Sequence, residues 1–261
     1  LIVDPPHVGP VPALEVRGLH YCYPDGRSAL DGVELVVPSG DRVAVLGPNG
    51  AGKTTLVLHL NGILVAAEGE VIVEGLPATK ENLAEIRRRV GVVFQDPDDQ
   101  LFMPTVRQDV AFGPANLGLT GDDLDERVHE ALAAVDMLAV SDRAPHHLSA
   151  GQRRRVALAT ALAMHPSVVV FDEPSANLDP FARRELADVV AGLGLTTLIV
   201  THDLLYAAEL CERSVIMNDG RVVADGPTLD LLADSELLGA NRLELPRASV
   251  LARSQQGDPV Q

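Results

Sequence analysis

The sequence contains no tryptophan, three tyrosines and five phenylalanines in 261 residues, so the setting of each aromatic side chain carries information. Its two cysteines, Cys22 and Cys211, have no ligand-like spacing and read as free thiols of a reducing compartment. No apolar run approaches the ~18–20 residues of a membrane span, so a membrane role has to come through a partner. Basic residues are scarce: 21 Lys and Arg stand against 37 Asp and Glu, a net charge of −16. That balance argues against a nucleic-acid backbone as ligand unless the basic residues cluster. Lysine occurs only at Lys53 and Lys80. The proline-rich opening Leu1–Ala13 lacks a basic n-region and a long apolar h-region, so it reads as a flexible segment rather than a signal peptide. Internal repeats and long heptad runs are also missing.

What remains is ample for a core. Hydrophobic residues make up 46% of the chain, and its length is roughly 1.7 times a ~150-residue domain unit. One large α/β domain or two closely joined subdomains follow. Short apolar runs at Leu14–Tyr23, Val33–Pro38 and Val71–Glu74 read as strands bounded by Gly, Pro and Asp. Arg42–Leu46 is a strand that enters a glycine loop, with a helix pattern over Thr55–Leu64. Val90–Phe94 is a further strand. From Asp96 to His147 the pattern turns helical, and Leu124, Val128, Leu132 and Val135 share one face. A helix over Ala150–Met164 precedes two continuous apolar or β-branched runs, Val168–Phe171 and Thr197–Thr201, as expected of parallel strands buried on both faces. Ser214–Asn218 and Arg221–Ala224 flank Asp219-Gly220, a hairpin signal. The residues after Leu245 are rich in Arg, Ser and Gln and read as a mobile tail.

Three patterns carry chemistry. Gly47-Pro48-Asn49-Gly50-Ala51-Gly52-Lys53-Thr54 fits G-x-x-x-x-G-K-[ST] between a strand and a helix. Glycines let successive N–H groups approach phosphate oxygens, Lys53 supplies a cation, and Thr54 offers a hydroxyl to Mg²⁺. A glycine-rich turn would need no lysine there. Val168–Glu173 is an apolar strand ending in two acids, and ligands bind at the carboxyl ends of parallel strands. Asp172 would hold a metal ion, and Glu173 would polarise an attacking water. Ser149 and Gln152 form an S-x-x-Q capping box; the same helix start could bind another molecule's phosphate. The run Arg153–Arg155 reads as a solvated or salt-bridged face. His146-His147 cannot share one face and reads as part of a loop. No N-K-x-D motif occurs, which disfavours a guanine-nucleotide enzyme.

In this order the motifs resemble the ATPase subunit of an ABC transporter, over roughly Leu14 to Gly226. Gly47–Thr54 resembles Walker A, Gln95 the Q-loop glutamine, Leu148–Gln152 the signature, Val168–Glu173 Walker B, Ser175–Asp179 the D-loop and His202 the switch histidine. Tyr23 resembles the aromatic that stacks on adenine. Tyr23-Pro24-Asp25-Gly26 with Ala29-Leu30-Asp31-Gly32, and Val93–Phe102 continued by Pro104–Val106 and Asp109–Pro114, look like energy-coupling-factor ATPases, above all the single-ATPase cobalt/nickel type.

The resemblance implies a P-loop core with a mostly parallel sheet, an antiparallel β subdomain and a helical insert. It implies one domain over 14–245, with a helical subdomain at about 96–165 and a tail over 246–261. The implied cofactors are ATP and Mg²⁺. Gly47 through Thr55, with Tyr23, would bind nucleotide; Ser149, Gly151, Gln152 and Asp179 would complete that site. Thr54, Gln95 and Asp172 would hold the metal; Glu173, His202, Lys53 and Gln95 would carry catalysis. The implied partners are a second ATPase copy, a transmembrane T component and a substrate-binding S component at the cytoplasmic face of the membrane, with no nucleic acid. A vitamin importer, a soluble ABC ATPase and a nucleotide-binding module without turnover are the alternatives; intact Glu173 and His202 argue against the last.

One residue departs from the pattern: Ala150 stands where the signature has its first glycine. A positive φ there would cost Ala on the order of 1 kcal/mol or more, whereas a first helical position would accept it. Gln100–Pro104 holds Leu101, Phe102 and Met103 in an acidic surrounding. They are expected either to line a groove for helices of a membrane subunit or to form a local mini-core.

Overall fold

The structure is a computed structural model and describes residues 11–245. Ten strands and nine α-helices are found among them. The proposed tail over 246–261 and most of the opening segment lie outside the described residues.

Two sheets divide the work. The smaller contains β1 (Leu14–Cys22), β2 (Ser28–Val37), β4 (Glu68–Val73) and β5 (Leu76–Pro77), in the order β2-β1-β4-β5 and wholly antiparallel. The larger contains β3 (Arg42–Leu46), β6 (Val90–Val93), β7 (Val168–Asp172), β8 (Thr196–Thr201), β9 (Arg213–Asn218) and β10 (Arg221–Pro227). Its order is β10-β9-β3-β8-β7-β6, with only the edge strand β10 antiparallel to its neighbour. The β9–β10 turn uses Asp219 and Gly220, both at positive φ (45° and 77°), the pairing a two-residue hairpin demands.

The parallel strands are buried on both faces, and their alternation sends side chains to two cores. Val43, Val45, Val168, Val170, Leu198 and Val200 face the small sheet and pack with Leu56, Val57 and Leu60 of α1 (Lys53–Leu60). Ala44, Leu46, Val169, Phe171 and Ile199 face the other way. They meet α3 (Val106–Asn116), α4 (Gly121–Ala134), α5 (Ala150–Leu162), α6 (Pro180–Gly192) and α7 (Leu204–Leu210). In α4, Val128 and Leu132, with Val135 just beyond its end, are buried in this core and Leu124 packs at its margin. Helices α2 (Leu83–Arg89), α8 (Thr228–Ala233) and α9 (Ser235–Ala240) complete the set.

The segment after Gln95 splits between its two readings. Leu101 is buried in the core with Val106 and Val110, which agrees with the mini-core reading for this residue. Phe102 is 61% exposed and meets Phe112 edge to face at 5.0 Å. Buried Asp109 holds the turn by accepting the N–H groups of both Phe102 and Met103 at 2.9 Å.

Candidate nucleotide site

Parallel pairing brings four strand ends to one edge. Leu46 lies opposite Thr201, Asp172 opposite Val200, and Val93 opposite Phe171. The segments that follow are therefore neighbours: Gly47–Gly52, Glu173, His202 and Gln95. Tyr23, Arg27, Ser28, Ala29, Asn49, Gly50, Gly52, Lys53, Thr54, Thr55, Gln95, Asp172, Glu173 and His202 line one cleft of about 330 Å³.

Gly47–Gly52 has a shape that side chains would block. A Cβ on Gly47 would lie 2.3 Å from the Met217 carbonyl oxygen, and one on Gly52 at 2.3 Å from that of Ala29. Gly52 also sits at φ 98° as the residue preceding α1. No side chain caps α1 and no acid occupies its first turn. Its N–H groups and dipole are thus left for an anion.

Lys53 is buried, and its Nζ donates to the carbonyls of Gly47 (2.6 Å) and Pro48 (3.0 Å). Burial pushes its pKa down, opposed by the charges of Glu173 and Asp172. Glu173 Oε1 lies 3.9 Å away. Asp172 is buried too, and burial pushes its pKa up against a hydrogen bond from Thr54. Its Oδ1 has no hydrogen-bond partner among the described residues. A buried carboxylate oxygen without a donor, beside a threonine hydroxyl and under a phosphate-shaped loop, fits a divalent cation.

Glu173 is the most tightly held group. Its Oε2 accepts from Thr201 Oγ1 at 2.9 Å, and its Oε1 accepts from the His202 N–H at 3.1 Å. His202 Nδ1 stands 2.8 Å from Oε1. The residue adopts φ 48°, a left-handed conformation that costs a glutamate energy, and its own N–H is fixed to the Val200 carbonyl at 2.8 Å.

Tyr23 hydrogen-bonds Thr55 through its hydroxyl (3.0 Å) and packs against Tyr21, which in turn meets His59. Gln95 reaches a second cleft of about 580 Å³, shared with Thr54, Asp172, Ala150, Arg153 and Asn177.

The capping box forms on both arms: Gln152 N–H donates to Ser149 Oγ and Ser149 N–H to Gln152 Oε1. Ala150 is the first helical residue and has no positive φ. Gly151 is required by packing, since a Cβ there would sit 2.7 Å from that of Ala182 on α6. Asp179 caps α6 by accepting from the N–H groups of Phe181 and Ala182. Ser149, Gly151, Gln152 and Asp179 lie outside the cleft that holds Lys53.

Sequence reasoning missed two contributors. Thr201 precedes the histidine that had been singled out, and only the register with β7 shows that it serves Glu173. Arg154 is 2% exposed rather than solvated, and donates to the carbonyls of Phe94 (2.7 Å), Gln95 (2.6 Å) and Ala176 (3.3 Å). Arg153 and Arg155 do pair with acids, Asp98 and Glu185. His146-His147 forms a single 3-10 turn, and no cluster of three metal-ligating side chains exists among the described residues.

A parallel sheet whose strand ends gather a glycine loop, a lysine, two acids and a histidine defines a nucleotide-hydrolysing fold. The ABC transporter family model matches residues 30–176, and the chain belongs to that family as an ATP-hydrolysing subunit of the energy-coupling-factor type. It is 62% identical over 245 residues to a putative ABC transporter ATP-binding protein of Streptomyces coelicolor, covering 92% of this chain and 94% of that one. It is 49% identical over 243 residues to the energy-coupling factor transporter ATP-binding protein EcfA of Methanothermobacter thermautotrophicus, covering 91% and 78%. Among solved structures it resembles cbiO1 of Clostridium perfringens, part of the ABC transporter complex cbiONQ, at 37% identity and TM-score 0.79, covering 93% and 99%. The ATP-binding cassette MJ0796, solved as a dimer with ADP and Pi, matches at 27% identity and TM-score 0.73, covering 82% and 98%. No helix among the described residues is long and apolar enough to cross a membrane.

Proposed function

We propose that this chain powers import of a transition-metal ion, cobalt or nickel, from the cytoplasmic face of the membrane, with a T component and an S component as membrane partners. The stretch from Val93 to Pro114 and the likeness to cbiO1 support that cargo. The observation that carries the ATP-driven part of this reading is the Glu173 carboxylate, held by Thr201 and His202 beside Lys53. Such a carboxylate is placed to orient a water for in-line attack on a terminal phosphate.

The remaining residues divide the work. Gly47, Asn49, Gly50, Ala51 and Gly52 wrap the phosphates with backbone N–H groups, Pro48 supplies the rigid bend between them without a donor of its own, and Lys53 exchanges two loop carbonyls for phosphate oxygens. Thr54 and Thr55 open α1 beneath them. His202 fixes Glu173 and reaches toward the terminal phosphate. Thr54, Asp172 and Gln95 would hold Mg²⁺, which when bound would offset the charge of the phosphates. Because Ser149, Gly151, Gln152 and Asp179 lie outside the cleft, a second copy supplies them, and the dimeric cassette neighbour favours this arrangement. The unit spans 14–245 with its helical subdomain at about 96–165. There the exposed Phe102–Phe112 pair offers an aromatic surface to the membrane partners.

Vesicles carrying the full complex test the assignment. ATP-dependent uptake of radioactive Co²⁺ or Ni²⁺ is expected, and Glu173→Gln should abolish it while nucleotide binding persists. ATP-dependent uptake of a vitamin, without metal uptake, would overturn the cargo assignment.

A further inference from the structure

The β1–β2 connection places an arginine on the tyrosine assigned to the nucleobase. Tyr23 and Arg27 face each other across Pro24-Asp25-Gly26. The Tyr23 N–H donates to the Arg27 carbonyl and the Gly26 N–H to the Tyr23 carbonyl, both at 2.9 Å. Gly26 sits at φ 86°, which closes the turn. Asp25 is the acid nearest the guanidinium in sequence, yet its Oδ1 accepts the backbone N–H of Arg27 instead, at 3.0 Å. The Arg27 guanidinium carbon lies 4.8 Å from the Tyr23 ring centroid, and no carboxylate is found paired with it among the described ion pairs. In a chain of net charge −16, an arginine that meets a phenol face rather than an acid is notable. Arg27 also lines the same cleft as Lys53, Thr54 and Glu173.

The plane of Tyr23 is itself fixed. Its hydroxyl is tied to Thr55 on α1, and Tyr21 abuts it at 5.1 Å. Among the described residues the guanidinium has no such tether beyond the ring it covers. A planar, weakly hydrated cation stacks on aromatic faces of any origin, and a purine entering the cleft offers a second such face.

We propose that Arg27 is the second plane of the nucleobase subsite: in the free protein it covers Tyr23, and on nucleotide binding it moves to the outer face of the purine, which is then held between phenol and guanidinium. The inference rests on the reading of Tyr23 as the base platform. It makes the β1–β2 turn a specificity device for a flat aromatic base, separate from the phosphate grip of Lys53.

The test compares ATP with inorganic tripolyphosphate, each with Mg²⁺, by calorimetry on the full chain. Arg27 is exposed in a loop, so its substitution leaves folding intact. Arg27→Ala should weaken ATP binding about 3- to 10-fold, the scale of a cation–π contact, and change tripolyphosphate binding less than about 2-fold. Arg27→Lys keeps the charge but loses the plane, and should behave like Arg27→Ala. Tyr23→Ala is the control for the underlying assignment and should weaken ATP in the same selective way. If Tyr23→Ala is selective and Arg27→Ala is not, the proposal alone is wrong; if Tyr23→Ala has no effect, the platform assignment falls with it. Equal weakening of ATP and tripolyphosphate by Arg27→Ala, full rescue by lysine, or tighter ATP binding would each overturn the stacking role.

Discussion

Lys53 and Asp172 are both buried, and each is less well served by the protein than burial requires. Lys53 rests on two carbonyls and Asp172 Oδ1 on nothing. Burying charge in this way costs stability unless a ligand completes the set, as the proposed nucleotide and metal would. The signature start shows the opposite economy. Ala150 occupies a first helical position where a glycine confers no conformational advantage. Ala150→Gly should therefore leave ATPase activity within about 2-fold and lower stability by no more than about 1 kcal/mol. Gly151→Ala must push α5 from α6, and the overpacking should cost about 1–3 kcal/mol. Paired thermal melts and turnover measurements on the two variants check this; equal effects would contradict the packing account.

At the scale of elements, the sheet was largely legible because buried parallel strands announce themselves as apolar runs. Arg42–Leu46 matches β3 at both ends, and Val168–Phe171 falls one residue short of β7. Val33–Pro38 understated β2, which begins at Ser28. Its first half alternates less clearly because Asp31 and Gly32 interrupt it. The helix expected over Thr55–Leu64 starts earlier and stops at Leu60, where Asn61 and Gly62 end it. Local motifs revealed the phosphate loop, the acids and the histidine. They could not reveal Arg154, whose role depends on three carbonyls from two distant segments, because a run of arginines looks the same whether solvated or buried.

The turn after Gln95 carries a pH-dependent element. Burial raises the Asp109 pKa above its ordinary 3.8 despite the two N–H groups from Phe102 and Met103. The folded state then binds the proton more tightly than the unfolded state, so this contribution to stability is present at low pH. It is lost as pH rises from 3.8 through the raised value. Asp109→Asn keeps an oxygen for the two N–H groups and removes the titration. The difference in melting temperature between Asp109→Asn and the parent should grow in the variant's favour as pH rises through that window. A difference independent of pH would show that the carboxylate ionises without penalty.

For the whole molecule, the proposed pairing of two copies rests on where the start of α5 lies. The cleft at the strand ends holds Lys53, Asp172, Glu173 and His202, while Ser149 and Gly151 stand at the start of α5 outside it. On the proposed reading another copy closes the site, and a nucleotide shared between copies would tie association to ATP by mass action. Light scattering on Glu173→Gln with saturating ATP and Mg²⁺ measures this most directly. The account predicts a shift from monomer to twice the monomer mass, absent without nucleotide and absent when Lys53→Ala is added. A variant that binds ATP yet stays at the monomer mass would contradict it.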